Sequence, residues 1–199
     1  MTELVVATGN PGKLKEIDQV LSPLGFTVKG QKEFTVAEAE ETGLTFVENA
    51  IIKARNTAEQ TGRAALADDS GLEVDALAGE PGIYSARYAG INATDSNNNE
   101  KLLAALQNTP EAMRSARFQC VMVYLRHPKD PTPIICQGTW EGMIGFTPKG
   151  NNGFGYDPLF IVPDQNCTSA ELTPALKNSL SHRGKALKQM VIALKQQNR

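Results

Sequence analysis

Two short apolar runs, each stopping abruptly at polar residues, constrain what this chain can fold into more than any other feature. Leu4-Val5-Val6-Ala7 gives way to Thr8-Gly9-Asn10-Pro11-Gly12-Lys13, and Leu14, Ile17, Leu21 and Leu24 then recur at helical spacing. A buried strand, a tight turn and an amphipathic helix follow from that order. The run 64–67 stops at Asp68-Asp69-Ser70-Gly71, beyond which Leu72, Val74 and Ala76 alternate with Glu73 and Asp75, the pattern of a half-buried strand. Between the runs, Thr45 and Glu48 have capping-box spacing, and Phe46, Ala50, Ala54 and Ala58 carry a helical stripe to Gly62. Residues 78–94 show no clear period and read as irregular, and a helix is expected over 95–107. Phe118, Cys120, Met122 and Tyr124 share one face of a strand, and a Pro-rich loop, 128–133, leads to a second strand around 134–140, a long antiparallel hairpin. The glycine-dense stretch 150–158 precedes a strand at 159–162, and Leu187, Met190, Val191 and Leu194 mark a closing helix. Strands alternating with helices around a hairpin predict an α/β fold on a mixed, twisted sheet.

A chain of 199 residues, 41% of them hydrophobic, can bury one sizeable core. No repeat or low-complexity linker divides it, so one domain over 1–199 is expected. Lys plus Arg total 20 against 22 Asp plus Glu, a formal charge of −2. No global positive field therefore draws in a nucleic-acid polymer, and any phosphate must be recognised locally. The apolar run after Met1-Thr2-Glu3 is far too short for a signal peptide or a membrane span, which predicts a cytoplasmic protein with no membrane partner. Cys120, Cys136 and Cys167 contain no C-x-x-C pair and leave an odd count. For Cys120 and Cys136 two buried, reduced thiols are expected, and the odd count argues against a disulfide framework or a zinc knuckle.

Several segments carry residues suited to phosphate and base chemistry. In the turn 8–13, small residues leave backbone N–H groups free to face an anion at a helix N-terminus, and Lys13 adds a mobile charge. It is not a Walker A loop, whose glycines stand further apart and whose hydroxyl residue is replaced here by Leu14. A plain strand-to-helix turn is the competing account. Glu38, Glu40 and Glu41 precede the second helix, and Asp68 and Asp69 end the second apolar run. One or two carboxylates, completed by water and substrate phosphates, are what magnesium requires. Strand alternation sends Asp68 and Asp69 to opposite sides, so one of them enters a given site. Ser70 lacks a nucleophile-elbow context and reads as a hydrogen-bonding residue. Phe154 and Tyr156 offer flat faces on which a base could stack, and Asp157 could accept from a ring N–H. A flexible polar loop is the alternative there. His182 and Arg183 could aim donors at a purine C6 oxygen, accepting a 6-oxo base and mispairing a 6-amino one. Lys177 and His127 read first as surface residues.

Taken together and in order, these segments resemble the Ham1-like family of purine nucleoside triphosphate pyrophosphatases, the inosine triphosphatases. The matching segments are Ala7-Thr8-Gly9-Asn10 with Lys13, Glu40-Glu41-Thr42-Gly43, Glu48-Asn49-Ala50 with Lys53-Ala54, Asp68-Asp69-Ser70-Gly71-Leu72, Pro81-Gly82-Ile83-Tyr84-Ser85-Ala86-Arg87, Gly153-Phe154-Gly155-Tyr156-Asp157-Pro158 and Ser181-His182-Arg183. The resemblance implies hydrolysis of inosine and xanthosine triphosphates and their deoxy forms to monophosphate and pyrophosphate. It implies Asp69 as proton acceptor and magnesium ligand, with Glu41 as a second metal carboxylate. Thr8, Gly9, Asn10, Pro11, Gly12 and Lys13 would hold the triphosphate, and Ser70 would contact substrate. Phe154, Gly155, Tyr156, Asp157, Lys177, His182 and Arg183 would line the nucleoside pocket. An elongated α/β fold, two lobes with a substrate groove between them, and a homodimer are implied as well. A carboxylate bound to magnesium is a weaker base, so Asp68 is a candidate to share the duties of Asp69. The rival functions are a pyrophosphatase for another modified nucleotide, as in the Maf-like group, and a nucleotide sensor without catalysis. Retention of Glu41, Asp68 and Asp69 together speaks against the sensor.

Overall fold

The computed structural model describes residues 2–197. Asn10 ends the strand β1 (Thr2–Val6) turn by capping α1 (Pro11–Leu21): its side-chain oxygen accepts from the amides of Gly12 and Lys13, and Pro11 sits where no amide partner is needed. Ile17 and Leu21, four apart, are the buried face of that helix. It runs into a 3-10 turn, Ser22–Leu24, and stops at Gly25, whose φ of 86° an L side chain resists. The strand β2 (Phe26–Gly30) then pairs parallel to β1. Thr45 caps α2 (Phe46–Thr61), which ends on Gly62 in the left-handed conformation, and β3 (Ala64–Val74) pairs parallel to the other side of β1.

Later elements are α3 (Asp95–Ala105), β4 (Ser115–Leu125), β5 (Ile134–Ile144), β6 (Phe160–Val162), β7 (Cys167–Thr168), α4 (Pro174–Leu180) and α5 (His182–Gln197). The strands are hydrogen-bonded in the order β2-β1-β3-β4-β5-β6-β7. β5, β6 and β7 pair antiparallel, so the sheet is mixed, as the alternating pattern predicted. β4 and β5 are neighbours joined by residues 126–133.

Two compact units share the chain. The first takes the described residues up to 69, then 120–137 and those from 186 on; the second takes 70–119 and 138–185. β3, β4, β5 and α5 contribute residues to both. In the first unit Leu4, Val6, Ile17, Leu21, Leu66, Met122, Leu187, Met190 and Leu194 form a core between the sheet and the two terminal helices. Ala50, Ala54, Ala67, Val121, Val123 and Leu125 form another beneath α2, whose alanines let the helix lie close. Cys120 and Cys136 are buried in the first of these cores, and no disulfide forms among the described residues. In the second unit Leu72, Leu102, Phe118, Trp140, Tyr156 and Phe160 are packed together, with Phe118 and Phe160 ring centroids 4.6 Å apart.

The structure holds two strands that no sequence pattern marked, β2 and β7, and departs from the sequence expectations in three further places. β3 does not stop at Asp68 but continues through the acidic pair to Val74. The half-buried ammonium groups of Lys13 and Lys53 neutralise that pair, which keeps the ladder unbroken where the run of apolar residues ends. α4 occupies a stretch with no clear periodicity, because seven residues give barely two turns and none of its side chains is buried. The irregular stretch contains the 3-10 segment Gly82–Arg87.

Candidate active site

Two clusters bring the candidate residues together, one in each unit. In the first unit a cavity of about 210 Å³ is lined by Thr8, Gly9 and Lys13 from the turn after β1, Glu38 and Glu41 from the segment before α2, Lys53, Asn56 and Thr57 from α2, and Asp68 from β3. Lys13 Nζ reaches Asp68 Oδ2 at 2.9 Å. Lys53 Nζ lies 2.7 Å from Asp69 Oδ1 and 3.0 Å from Glu41 Oε1. The adjacent aspartates thus take different lysines, as alternation along β3 requires. Glu40 is exposed and does not line the cavity.

Electrostatics in this cluster are strongly coupled. Burial pushes the Asp69 carboxyl above its ordinary pKa, and the charges of Glu41 and Asp68 push the same way against the pull of Lys53. Burial by itself disfavours the Lys53 ammonium, but attraction to Asp69, Glu41 and Asp68 outweighs it and raises its pKa. Lys53 is therefore a firmly charged cation, while Asp69 binds a proton more readily than an exposed aspartate. Glu41 and Asp69 converge on one positive point, already filled by an ammonium. Among the described residues no three Asp, Glu, His or Cys side chains gather as a metal site.

The turn 8–13 differs from expectation. The amides of Gly12 and Lys13 are occupied by the Asn10 side chain, and the Asn10 amide donates to Thr8 Oγ1 at 3.1 Å. An N-cap asparagine fills the donors that would otherwise face an anion. Positive charge at this turn comes instead from Lys13 and Lys53. Lys53 matched a family segment in the sequence but carried no role there; its two carboxylate partners, 12 and 16 positions away, are visible only in three dimensions.

The second cluster surrounds Phe154, which is 54% exposed. Lys177 Nζ lies 5.2 Å and the Arg183 guanidinium 5.9 Å from its ring centroid. Arg183 Nη2 is also 3.4 Å from Ser70 Oγ. The His182 ring stacks on Phe118, with centroids 4.9 Å apart and planes 16° from parallel. Both residues are in the first turn of α5, where the Ser181 hydroxyl accepts from the Gly184 amide. A Cβ on Gly184 would stand 1.9 Å from the Asn178 carbonyl, so only glycine lets α5 start this close to α4.

Two expected contacts are corrected. Tyr156 offers no stacking face: it is 3% exposed, its hydroxyl donates to the Ser85 carbonyl at 2.8 Å, and burial pushes its pKa well up. Asp157 is not an open acceptor. Its buried carboxylate takes the Phe154 amide at 2.8 Å, the Ser169 hydroxyl at 2.7 Å and the Lys177 ammonium. Asp157 therefore holds Phe154 and Lys177 in place, and Ser169, unremarked in the sequence, holds Asp157. Gly153 permits this, since a Cβ there would sit 2.0 Å from Asp157 Oδ2. His127 is exposed, as expected of a surface residue.

A sequence model of the Ham1 family matches residues 4–193. The chain is 60% identical over 197 residues to a dITP/XTP pyrophosphatase of Vibrio vulnificus, covering 99% of this chain and 98% of that protein. It is 61% identical over 197 residues to a dITP/XTP pyrophosphatase of Vibrio parahaemolyticus, with the same coverage. A solved structure of a HAM1 protein from Coxiella burnetii superposes with a TM-score of 0.95 at 52% identity, covering 98% of this chain and 100% of that one.

Proposed function

The chain belongs to the Ham1 family, and on that premise we propose that it hydrolyses inosine, deoxyinosine and xanthosine triphosphates to the monophosphate and pyrophosphate, removing them from the nucleotide pool. The observation that carries the chemistry is the convergence of Glu41 and Asp69 on one cation beside the turn that bears Lys13. Two carboxylates with no third protein ligand suit magnesium, which keeps waters and phosphate oxygens in its remaining positions. Glu41 and Asp69 would hold the ion, which would neutralise phosphate charge and acidify a bound water.

The chain's own groups divide the remaining work. Asp69 receives the proton of the water that attacks the α-phosphorus. Asp68, held by Lys13, shares that duty when Asp69 is engaged with the ion. The bond from the α-phosphorus to the bridging oxygen breaks, and pyrophosphate leaves with the negative charge. Lys13 and Lys53 stabilise that charge; Lys13 is positioned before reaction by its ion pair with Asp68, and Lys53, freed from Glu41 and Asp69 once they hold the ion, faces the phosphates. The triphosphate lies against the turn 8–13, held there by the ammonium groups of Lys13 and Lys53 and not by the turn's amides, which Asn10 and Thr8 occupy. Phe154 supplies the stacking face for the base, Lys177 and Ser70 contact the nucleoside, and His182 and Arg183 donate to the 6-oxo group.

An assay with and without magnesium across inosine, xanthosine, guanosine, adenosine and modified pyrimidine triphosphates, with product identification, tests this. Monophosphate and pyrophosphate from the 6-oxo purines are expected. Nucleoside diphosphate and orthophosphate would place the attack at the wrong phosphorus. Preference for a modified pyrimidine would assign the Maf-like specificity. Asp69→Asn should abolish most turnover and retain nucleotide binding. The working unit is a cytoplasmic homodimer, checked by light scattering as twice the 21.5 kDa chain mass.

A further inference from the structure

Phe154 stands between two glycines in left-handed backbone, Gly153 at φ 83° and Gly155 at φ 61°. Glycine loses more freedom on ordering than any other residue, so a ring mounted between two of them needs anchors on both sides. On the Gly153 side the anchor is Asp157, which accepts from the Phe154 amide. On the other side both polar groups of Gly155 are taken by one helix. Its amide donates to Asp95 Oδ2 at 2.7 Å, and its carbonyl accepts from Asn99 Nδ2 at 2.8 Å.

That helix, α3, is itself firmly fixed. Leu102 and Leu106 are fully buried in the second-unit core. Asn98 donates to the Ala86 carbonyl and accepts from the Ala89 amide. Arg114 donates to the carbonyls of Leu106 and Gly145, which ties down the far end. Asn99 carries a cost that this anchoring does not explain. Its Nδ2 also donates to the Asp95 carbonyl, but its Oδ1 is buried without a hydrogen-bond partner. A buried unpaired acceptor is destabilising, and an apolar side chain of similar size would avoid it. What the amide supplies in exchange is the Nδ2 bond to the Gly155 carbonyl.

We propose that Asp95 and Asn99 are positioning residues that clamp Gly155 to α3 and so hold Phe154 in the orientation that stacks on the substrate base. The clamp rests on the nucleoside role given to Phe154 above. It acts on base binding and leaves the phosphate cluster untouched. Asn99→Leu removes one anchor and the unpaired oxygen together. The KM for inosine triphosphate then rises about tenfold, the equivalent of about 1.4 kcal/mol, with kcat within twofold. Affinity for inorganic pyrophosphate is unchanged, and the unfolding midpoint moves little, because removal of the unpaired Oδ1 offsets the donor lost to the Gly155 carbonyl. Asp95→Ala raises KM similarly, whereas Asp95→Asn, whose amide oxygen still accepts from Gly155, restores it. Asn99→Leu also speeds hydrogen exchange at the Gly155 amide, read by NMR, although that amide's own acceptor is intact. The proposal is overturned if KM stays within twofold of the parent, or if KM, pyrophosphate affinity and the unfolding midpoint all worsen together as in a general loss of structure. Turnover of inosine triphosphate by the unmodified enzyme tests the functional assignment separately. Gly155 exchange tests the clamp whichever nucleotide is the substrate.

Discussion

Replacing Lys53 by methionine probes the centre of the first cluster with the least change of shape. The ammonium stands 2.7 Å from Asp69 and 3.0 Å from Glu41. At an effective dielectric of about 20, 332/(εr) gives roughly 6 and roughly 5.5 kcal/mol of gross attraction. Most of this offsets the cost of taking three charges out of water. Breaking a buried pair by removing one partner typically costs about 3–5 kcal/mol; Lys53 is 18% exposed, Asp69 11% and Glu41 28% at their side chains, which puts the expected loss near the lower end, about 3 kcal/mol. Urea unfolding with a chelator present should show that loss in full. If Glu41 and Asp69 hold magnesium, the saturating ion takes the place of the ammonium between them, and the difference between Lys53→Met and the parent should shrink below about 1 kcal/mol. Turnover with magnesium should fall at least about 100-fold, because the charge facing the departing pyrophosphate is gone. Equal stability loss with and without magnesium would refute the assignment of Glu41 and Asp69 as the cation site.

Asp130 accepts from the Arg126 guanidinium and amide and from the Thr132 amide, and these hold its carboxyl far below the usual carboxylate range. Its stabilisation is full above the unfolded pKa of about 3.9 and is lost as pH falls through the lower folded value. Asp130→Asn should therefore cost about 1–2 kcal/mol at pH 7, and denaturation curves taken down to about pH 2 should show the gap closing. Gly153→Ala drives a Cβ into Asp157 Oδ2 and Lys177 Nζ at a φ of 83°; roughly 1–3 kcal/mol of local strain and a raised KM are expected from calorimetry and kinetics. Thr57 is fully buried with its hydroxyl lacking a hydrogen-bond partner, so Thr57→Val should raise stability by about 1 kcal/mol in urea unfolding.

Much of the scaffold was legible because local physics decides it. Asn10-Pro11 and Thr45 with Glu48 start α1 and α2, and Gly62 ends α2. The apolar periods of 2 and 3.6 assign most strands and helices, and the ordered motifs identify the family. What they misjudged shares one cause. β3 looked finished at Asp68 because two adjacent carboxylates are poor company for a buried strand; Lys13 and Lys53, distant in sequence, make them tolerable. Tyr156 looked like a stacking platform because composition cannot say which side of a glycine-rich loop is packed. Asp157 looked open because its partners lie 3, 12 and 20 positions later or earlier along the chain.

The sequence by itself determined the class of fold, the order of the longer elements, the family and the set of chemical groups available, since these depend on periodicity, capping or residue type read along the chain. Tertiary structure alone decided how those groups are deployed. It placed Lys53 between Glu41 and Asp69, made Asp157 a support and fastened Gly155 to α3. The physical reason is that charge pairing and desolvation act over a few ångströms of space, and separation along the chain says little about which side chains meet at that range.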